Sequence, residues 1–128
     1  LTDFVKNHVD VLFSNENEVS SLCDAPVEES TRLLMGNVAE VIVTHGPKGA
    51  FVGNGTDQIK VAAWPLGKVI DTTGAGDLFA AGYLYGRTNG YSLRDSAMIA
   101  SIVAGEIISH LGARPQADLR ALVAQAVY

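Results

Sequence analysis

The chain has 128 residues, 48% of them hydrophobic and 18% charged, with a net charge of −5. That length suits one domain or a piece of one, and that composition excludes wholesale disorder. The acidic balance argues against a nucleic-acid binder, which would cluster Lys and Arg.

No apolar run reaches the roughly 18 residues that a membrane helix needs. The longest, Met98–Ile108, is interrupted by Ser101 and Glu106. Cys23 is the only cysteine and has no internal partner for a disulfide, which favours a reducing, cytoplasmic setting. Its plain reading is a free thiol in a core helix.

The chain starts on Leu1, with neither a basic segment nor a long apolar segment behind it. Leu1–Asn7 reads as the end of a helix and Val9–Phe13 as a short buried strand. A strand so early suggests a chain entered mid-domain; a trimmed or processed product would look the same. Asn15–Leu22 suits a short helix capped by Ser14 or Asn15. Pro26 fits a helix start, with Val27–Met35 continuing the helix and Gly36-Asn37 stopping it. Val38–Thr44 contains Val41-Ile42-Val43, a β-branched run suited to a strand covered on both faces.

Ala50–Val52 and Gln58–Ala62 flank a Gly/Asn loop and read as a hairpin. Trp64–Gly67 is a bend and Lys68–Ile70 a last short strand. The rest is helical. Leu78–Arg87 ends at Asn89-Gly90, and Ser92 with Asp95 resembles a capping pair for the next helix. That helix lines up Leu93, Ala97, Ala100, Ala104, Ile107, Ile108 and Leu111 on one stripe. Gly112 ends it, and Asp118–Val127 is the final helix. The element order predicts a layered α/β fold.

The densest chemical signal is Asp71-Thr72-Thr73-Gly74-Ala75-Gly76-Asp77, between a strand and a helix. Gly74 and Gly76 free the backbone to turn and to approach a ligand, and the next helix offers unpaired N–H groups to an anion such as phosphate. The loop is not a Walker loop, because no Gly-Lys-Ser/Thr follows, and it lacks the third Gly of a dinucleotide fingerprint. A plain tight turn explains the glycines equally well. Asp77 could be an ordinary first-turn acid, or a base that takes a proton from an attacking hydroxyl. Asp71 could brace the loop or help bind a cation.

The stretch Asp71–Gly82 resembles the second signature of the ribokinase-like (PfkB) carbohydrate and nucleoside kinases. Ser14-Asn15-Glu16-Asn17-Glu18 resembles that family's Asn-x-x-Glu motif, and Val43-Thr44-His45-Gly46-Pro47-Lys48-Gly49-Ala50 its nucleotide loop. The three motifs agree in order and spacing, and the resemblance runs from Val9 to Pro115.

The resemblance implies a three-layer α/β/α ribokinase-like fold with a β-hairpin, and ATP-dependent phosphorylation of a hydroxyl. It implies Asp77 as catalytic base, with Gly74, Ala75 and Gly76 forming an anion hole together with the Asp77 N–H. It implies Asn15, Glu18, Thr44, Gly46 and Gly49 at the nucleotide, Glu18 on Mg²⁺ through water, and Asp71 and Thr73 on a monovalent cation such as K⁺, with Gly112 nearby. Asn15 and Glu18 could instead be a simple helix cap and its N3 partner. Lys48 reads as a solvated turn residue. His8, His45 and His110 lack metal-ligand spacing, and His45 stands out only by lying in the nucleotide loop.

Such kinases are about twice this long. Residues 1–128 therefore resemble the C-terminal, ATP-binding portion, without the N-terminal half that carries the substrate contacts and lid. The fragment alone is expected to be inactive, with exposed sheet edges that await that half or another copy. Leu12–Glu18 and Glu106–Pro115 look most like adenosine kinase-like members, with a ribokinase- or fructokinase-type sugar kinase, or a non-catalytic nucleotide binder, as alternatives. No nucleic-acid or membrane partner is expected.

Overall fold

The computed structural model describes residues 2–55, 57–63, 74–108 and 118–126. They fall into two compact units, one of residues 1–46 and 50–60, the other of residues 47–49 and 61–128. The expected Trp64–Gly67 bend, the Lys68–Ile70 strand, Asp71–Thr73 and Leu111–Pro115 lie outside the described residues.

In the first unit the chain runs α1 (Thr2–His8), β1 (Val11–Asn15), α2 (Glu16–Cys23), α3 (Val27–Met35), β2 (Glu40–Thr44), then the hairpin β3 (Ala50–Asn54) and β4 (Gln58–Val61). β1 starts two residues later than the sequence suggests. The turn after α1 still binds the Val9 N–H to the Val5 carbonyl at 3.2 Å, so Val9 cannot join the sheet. α3 has the bounds expected from Pro26 and Gly36.

The four strands lie in sequence order. β1 and β2 are parallel, in register from Val11↔Glu40 to Asn15↔Thr44, while β2 and β3 are antiparallel. Parallel pairing brings the carboxyl ends of β1 and β2 side by side, which is where open α/β sheets bind ligands. Val41, Ile42 and Val43 are all buried, as their β-branched run requires of a strand covered on both faces. Val5, Val19, Leu34, Met35 and Val38 complete the core around Val41 and Val43, with Leu22 and Cys23 packed against it.

The second unit contains α4 (Ala75–Thr88), α5 (Leu93–Ile108) and α6 (Leu119–Ala126). α5 is capped as expected, with the Asp95 N–H donating to Ser92 Oγ at 3.1 Å. Asp118 Oδ1 likewise accepts from the Arg120 N–H at 3.0 Å at the start of α6. α5 buries Leu93, Ala97, Ala100 and Ile107 of the expected stripe, and more besides. Ser96, Ala97, Ile99, Ala100, Ser101, Ile102 and Val103 are all buried, so the helix is covered nearly all round, as a helix apolar on most sides must be. Ile99, Ile102 and Val103 pack with Val123 of α6.

α4 lies directly on α5. A methyl group at Gly82 would sit 2.9 Å from Ala100 Cα, and one at Gly86 would sit 2.7 Å from Ser96 Cα. Backbone meets backbone at Gly82, the Ser96 side chain and backbone fill the space at Gly86, and only glycine fits at either place. Among the described residues no helix is long and apolar enough to cross a membrane.

Candidate functional site

Asn15 ends β1 and caps α2. Its extended backbone (φ −97°, ψ 177°) turns the side chain back over the helix, so Oδ1 accepts from the Glu18 N–H at 2.8 Å. Glu18 answers through Oε2, which accepts from the Asn15 N–H at 2.9 Å. This reciprocal capping box satisfies two donors of the helix terminus and fixes both side chains. Asn15 Nδ2 and Glu18 Oε1 take no part in it.

Thr44 lies directly across from Asn15 in the parallel register, and its hydroxyl donates to the Ser14 carbonyl at 3.4 Å. His45 follows, with Nδ1 3.0 Å from Glu16 Oε1. Gly46 then takes a left-handed conformation, φ +57°, as the chain leaves the strand. The first unit thus gathers Asn15, Glu18, Thr44 and Gly46 at one end of its parallel strands. The Glu16–His45 pair escapes sequence reading because its partners are 29 positions apart. Only the register that sets Asn15 beside Thr44 reveals it.

Gly49 belongs to the second unit, where its backbone alone explains it. With φ +100°, a side chain there would run into the Val61 carbonyl oxygen.

α4 begins differently from its neighbours. Gly74 is its N-cap, left-handed at φ 80°, and brings no side chain to the helix end. The helix opens at Ala75, three residues earlier than the sequence suggests, so Ala75, Gly76 and Asp77 form its first turn. A helix N-terminus leaves its first N–H groups without intrahelical partners. Gly76 is exposed, and among the described residues a methyl group built on it would meet nothing within 4 Å. Its φ is not positive, so neither packing nor conformation demands glycine there. A helical Gly costs up to about 1 kcal/mol relative to Ala, so this one is not chosen for stability. Asp77 is exposed and makes no hydrogen bond or ion pair among the described residues. Asp71, Thr73 and Gly112 lie outside the described residues.

Among the described residues no group of three or more His, Cys, Asp or Glu side chains could enclose a metal ion. Glu18, with one carboxylate oxygen outside the cap, suits a hard cation that keeps most of its waters, which is how Mg²⁺ binds beside phosphates.

Comparison with known proteins identifies the family of the chain. A nucleoside kinase of Methanocaldococcus jannaschii is 32% identical over 108 residues, covering 82% of this chain and 34% of that protein. A probable sugar kinase from Rhizobium etli CFN 42 matches 98% of the chain with a TM-score of 0.92 and 36% identity, and 38% of that structure is covered. The adenosine kinase from Sinorhizobium meliloti matches 98% of the chain with a TM-score of 0.91 and 34% identity, with 39% of it covered. The chain therefore spans about a third to two-fifths of the length of these relatives. The profile of the pfkB family carbohydrate kinases matches residues 1–119. With its ribokinase-like α/β fold, the chain belongs to the pfkB family of carbohydrate kinases.

Proposed function

We propose that residues 1–128 form the C-terminal, nucleotide-handling portion of an ATP-dependent kinase that phosphorylates a hydroxyl of a nucleoside or sugar, with adenosine the favoured acceptor. The observation that carries this reading is the open first turn of α4. It combines a left-handed Gly74 with a Gly76 that no described neighbour requires and an exposed Asp77 that has no partner among the described residues. The likeness to the Sinorhizobium meliloti adenosine kinase supports the choice of acceptor.

In this reading the Asp77 carboxylate accepts the proton of the attacking hydroxyl. The N–H groups of Gly74, Ala75, Gly76 and Asp77 hold the transferring phosphoryl group, and the positive end of the α4 dipole favours its charge. Asn15, Thr44 and Gly46 contact the nucleotide phosphates, and Glu18 holds a magnesium-bound water. When bound, Mg²⁺ neutralises charge on the phosphate oxygens. Asp71 and Thr73 are the candidate ligands of K⁺. The contacts that select the acceptor belong to an N-terminal half of the same kinase, so residues 1–128 alone are inactive and free to self-associate.

The test is ATP-dependent phosphorylation of adenosine, other nucleosides, ribose and fructose by the complete kinase carrying this chain, with and without K⁺. Turnover with adenosine preferred is the expected result. A preference for ribose or fructose would replace the acceptor and keep the chemistry. ATP binding with no turnover on any acceptor would reduce the protein to a nucleotide binder.

A further inference from the structure

Three positions at the carboxyl ends of β1 and β2 carry or oppose charge. Glu18 is fixed by the cap, Glu16 is the first residue of α2, and His45 is the first residue after β2. His45 Nδ1 lies 3.0 Å from Glu16 Oε1, directly beside the paired ends Asn15↔Thr44. The side chains are 27% and 43% exposed, and pairs this exposed add little to stability. Stability is therefore a weak account of the pair.

Charge supplies a better one. Glu16 sits in the same turn as Asn15 and Glu18, the residues assigned above to phosphate and magnesium. A carboxylate there opposes a polyanionic ligand unless something engages it, because like charges at short range repel across an interface. His45 is the group that engages it.

We propose, on the nucleotide-binding reading above, that His45 is a positioning residue for nucleotide binding. By holding the Glu16 carboxylate it keeps that negative charge from opposing the phosphates. Such shielding differs from a mere tie between the loop and α2 in the sign of a double-mutant cycle. A loop merely held in place by the pair suffers equally from loss of either partner, and loses nothing more when both go. A shielded carboxylate behaves otherwise, since removing the shield hurts and removing the charge as well repairs the damage.

The experiment is titration of Mg·ATP, ADP and AMP into the complete kinase and its variants by calorimetry. His45→Ala should weaken ATP binding about tenfold, a loss that shrinks from ATP to AMP and in added salt. Glu16→Gln alone should change affinity by less than about threefold, and His45→Ala/Glu16→Gln should recover to within about threefold of the parent. His45→Lys should also recover most of the affinity, because its ammonium group can engage the Glu16 carboxylate. A double variant as weak as His45→Ala alone, or equal losses for ATP and AMP, would overturn the shielding role. ATP affinity unchanged in His45→Ala would overturn the pair's involvement while leaving the nucleotide reading intact. No ATP binding by the parent protein would overturn both.

Discussion

α2 is capped by Asn15, and its third residue, Glu18, answers the cap; α4 is capped by Gly74, and its third residue, Asp77, answers nothing among the described residues. At α2 the side chains and the helix end satisfy one another, so the terminus is self-contained and presents only the remaining atoms, Asn15 Nδ2 and Glu18 Oε1. At α4 neither the helix-end donors nor the acid meets a capping side chain among the described residues. α5 and α6 follow the α2 plan in simpler form, with Ser92 and Asp118 as their capping side chains. α3 also lacks a side-chain cap, but it begins on Pro26, whose ring already fixes the backbone. Similar acidic first turns can therefore serve opposite ends. A closed one positions side chains, and an open one exposes backbone.

Substitutions at matching positions can break this contrast. The largest effect is expected for Asp77→Asn in the complete kinase. Turnover should fall about 10³-fold, within the range for a lost general base, while thermal stability and ATP affinity stay close to those of the parent. Turnover above a tenth of the parent value would remove Asp77 from the base role and make the two acids alike.

Asn15→Ala comes next. Loss of the cap should destabilise the fold by about 1 kcal/mol, seen as a lower urea midpoint at unchanged slope. No loss would mean that the capping box contributes nothing to the stability of α2.

Gly76→Ala should do the reverse. It should raise stability by up to about 0.5–1 kcal/mol, because nothing among the described residues crowds the added methyl, yet weaken phosphate binding. Unchanged nucleotide affinity would count against a close approach of phosphate to the α4 backbone.

Glu18→Gln should have the smallest effect on stability, since the amide oxygen can still accept from the Asn15 N–H. The Mg²⁺ concentration needed for ATP binding should rise. An unaltered Mg²⁺ dependence would leave Glu18 as a cap and no more.

The ends of several elements are written in single residues, which is why they are legible in the sequence. Pro26 and Gly36 bracket α3, the run Val41–Val43 marks a fully covered strand, and Ser92 and Asp118 start their helices as expected. The start of α4 is not legible in this way. Gly74-Ala75-Gly76 has the composition of a loop, but the first helical N–H groups need no partner within the helix, so a glycine is tolerated there. The stripe expected on α5 is only part of its buried surface because period alone does not reveal how many neighbours a helix has; α4 and α6 both cover it. Within the candidate site, Asn15, Glu18, Thr44 and Gly46 are marked by local motifs. The engagement of Glu16 by His45 is not, because it depends on how two distant strands align.

The crossing of α4 on α5 has a mechanical consequence. Where Gly82 and Gly86 lie against Ala100 and Ser96, α4 brings no side chain to the contact, and α5 brings only the short Ser96 side chain opposite Gly86. α4 can neither roll nor slide there without opening the contact, so the crossing acts as a clamp. Asp77 lies about 8 Å further along the helix, at roughly 1.5 Å per residue from Gly82. Leu78 packs against the cluster of Ile99, Ile102 and Val103, and Phe79 is buried, so the helix is braced up to the residue that follows the acid, and amide exchange in α4 should be slowest around the clamp.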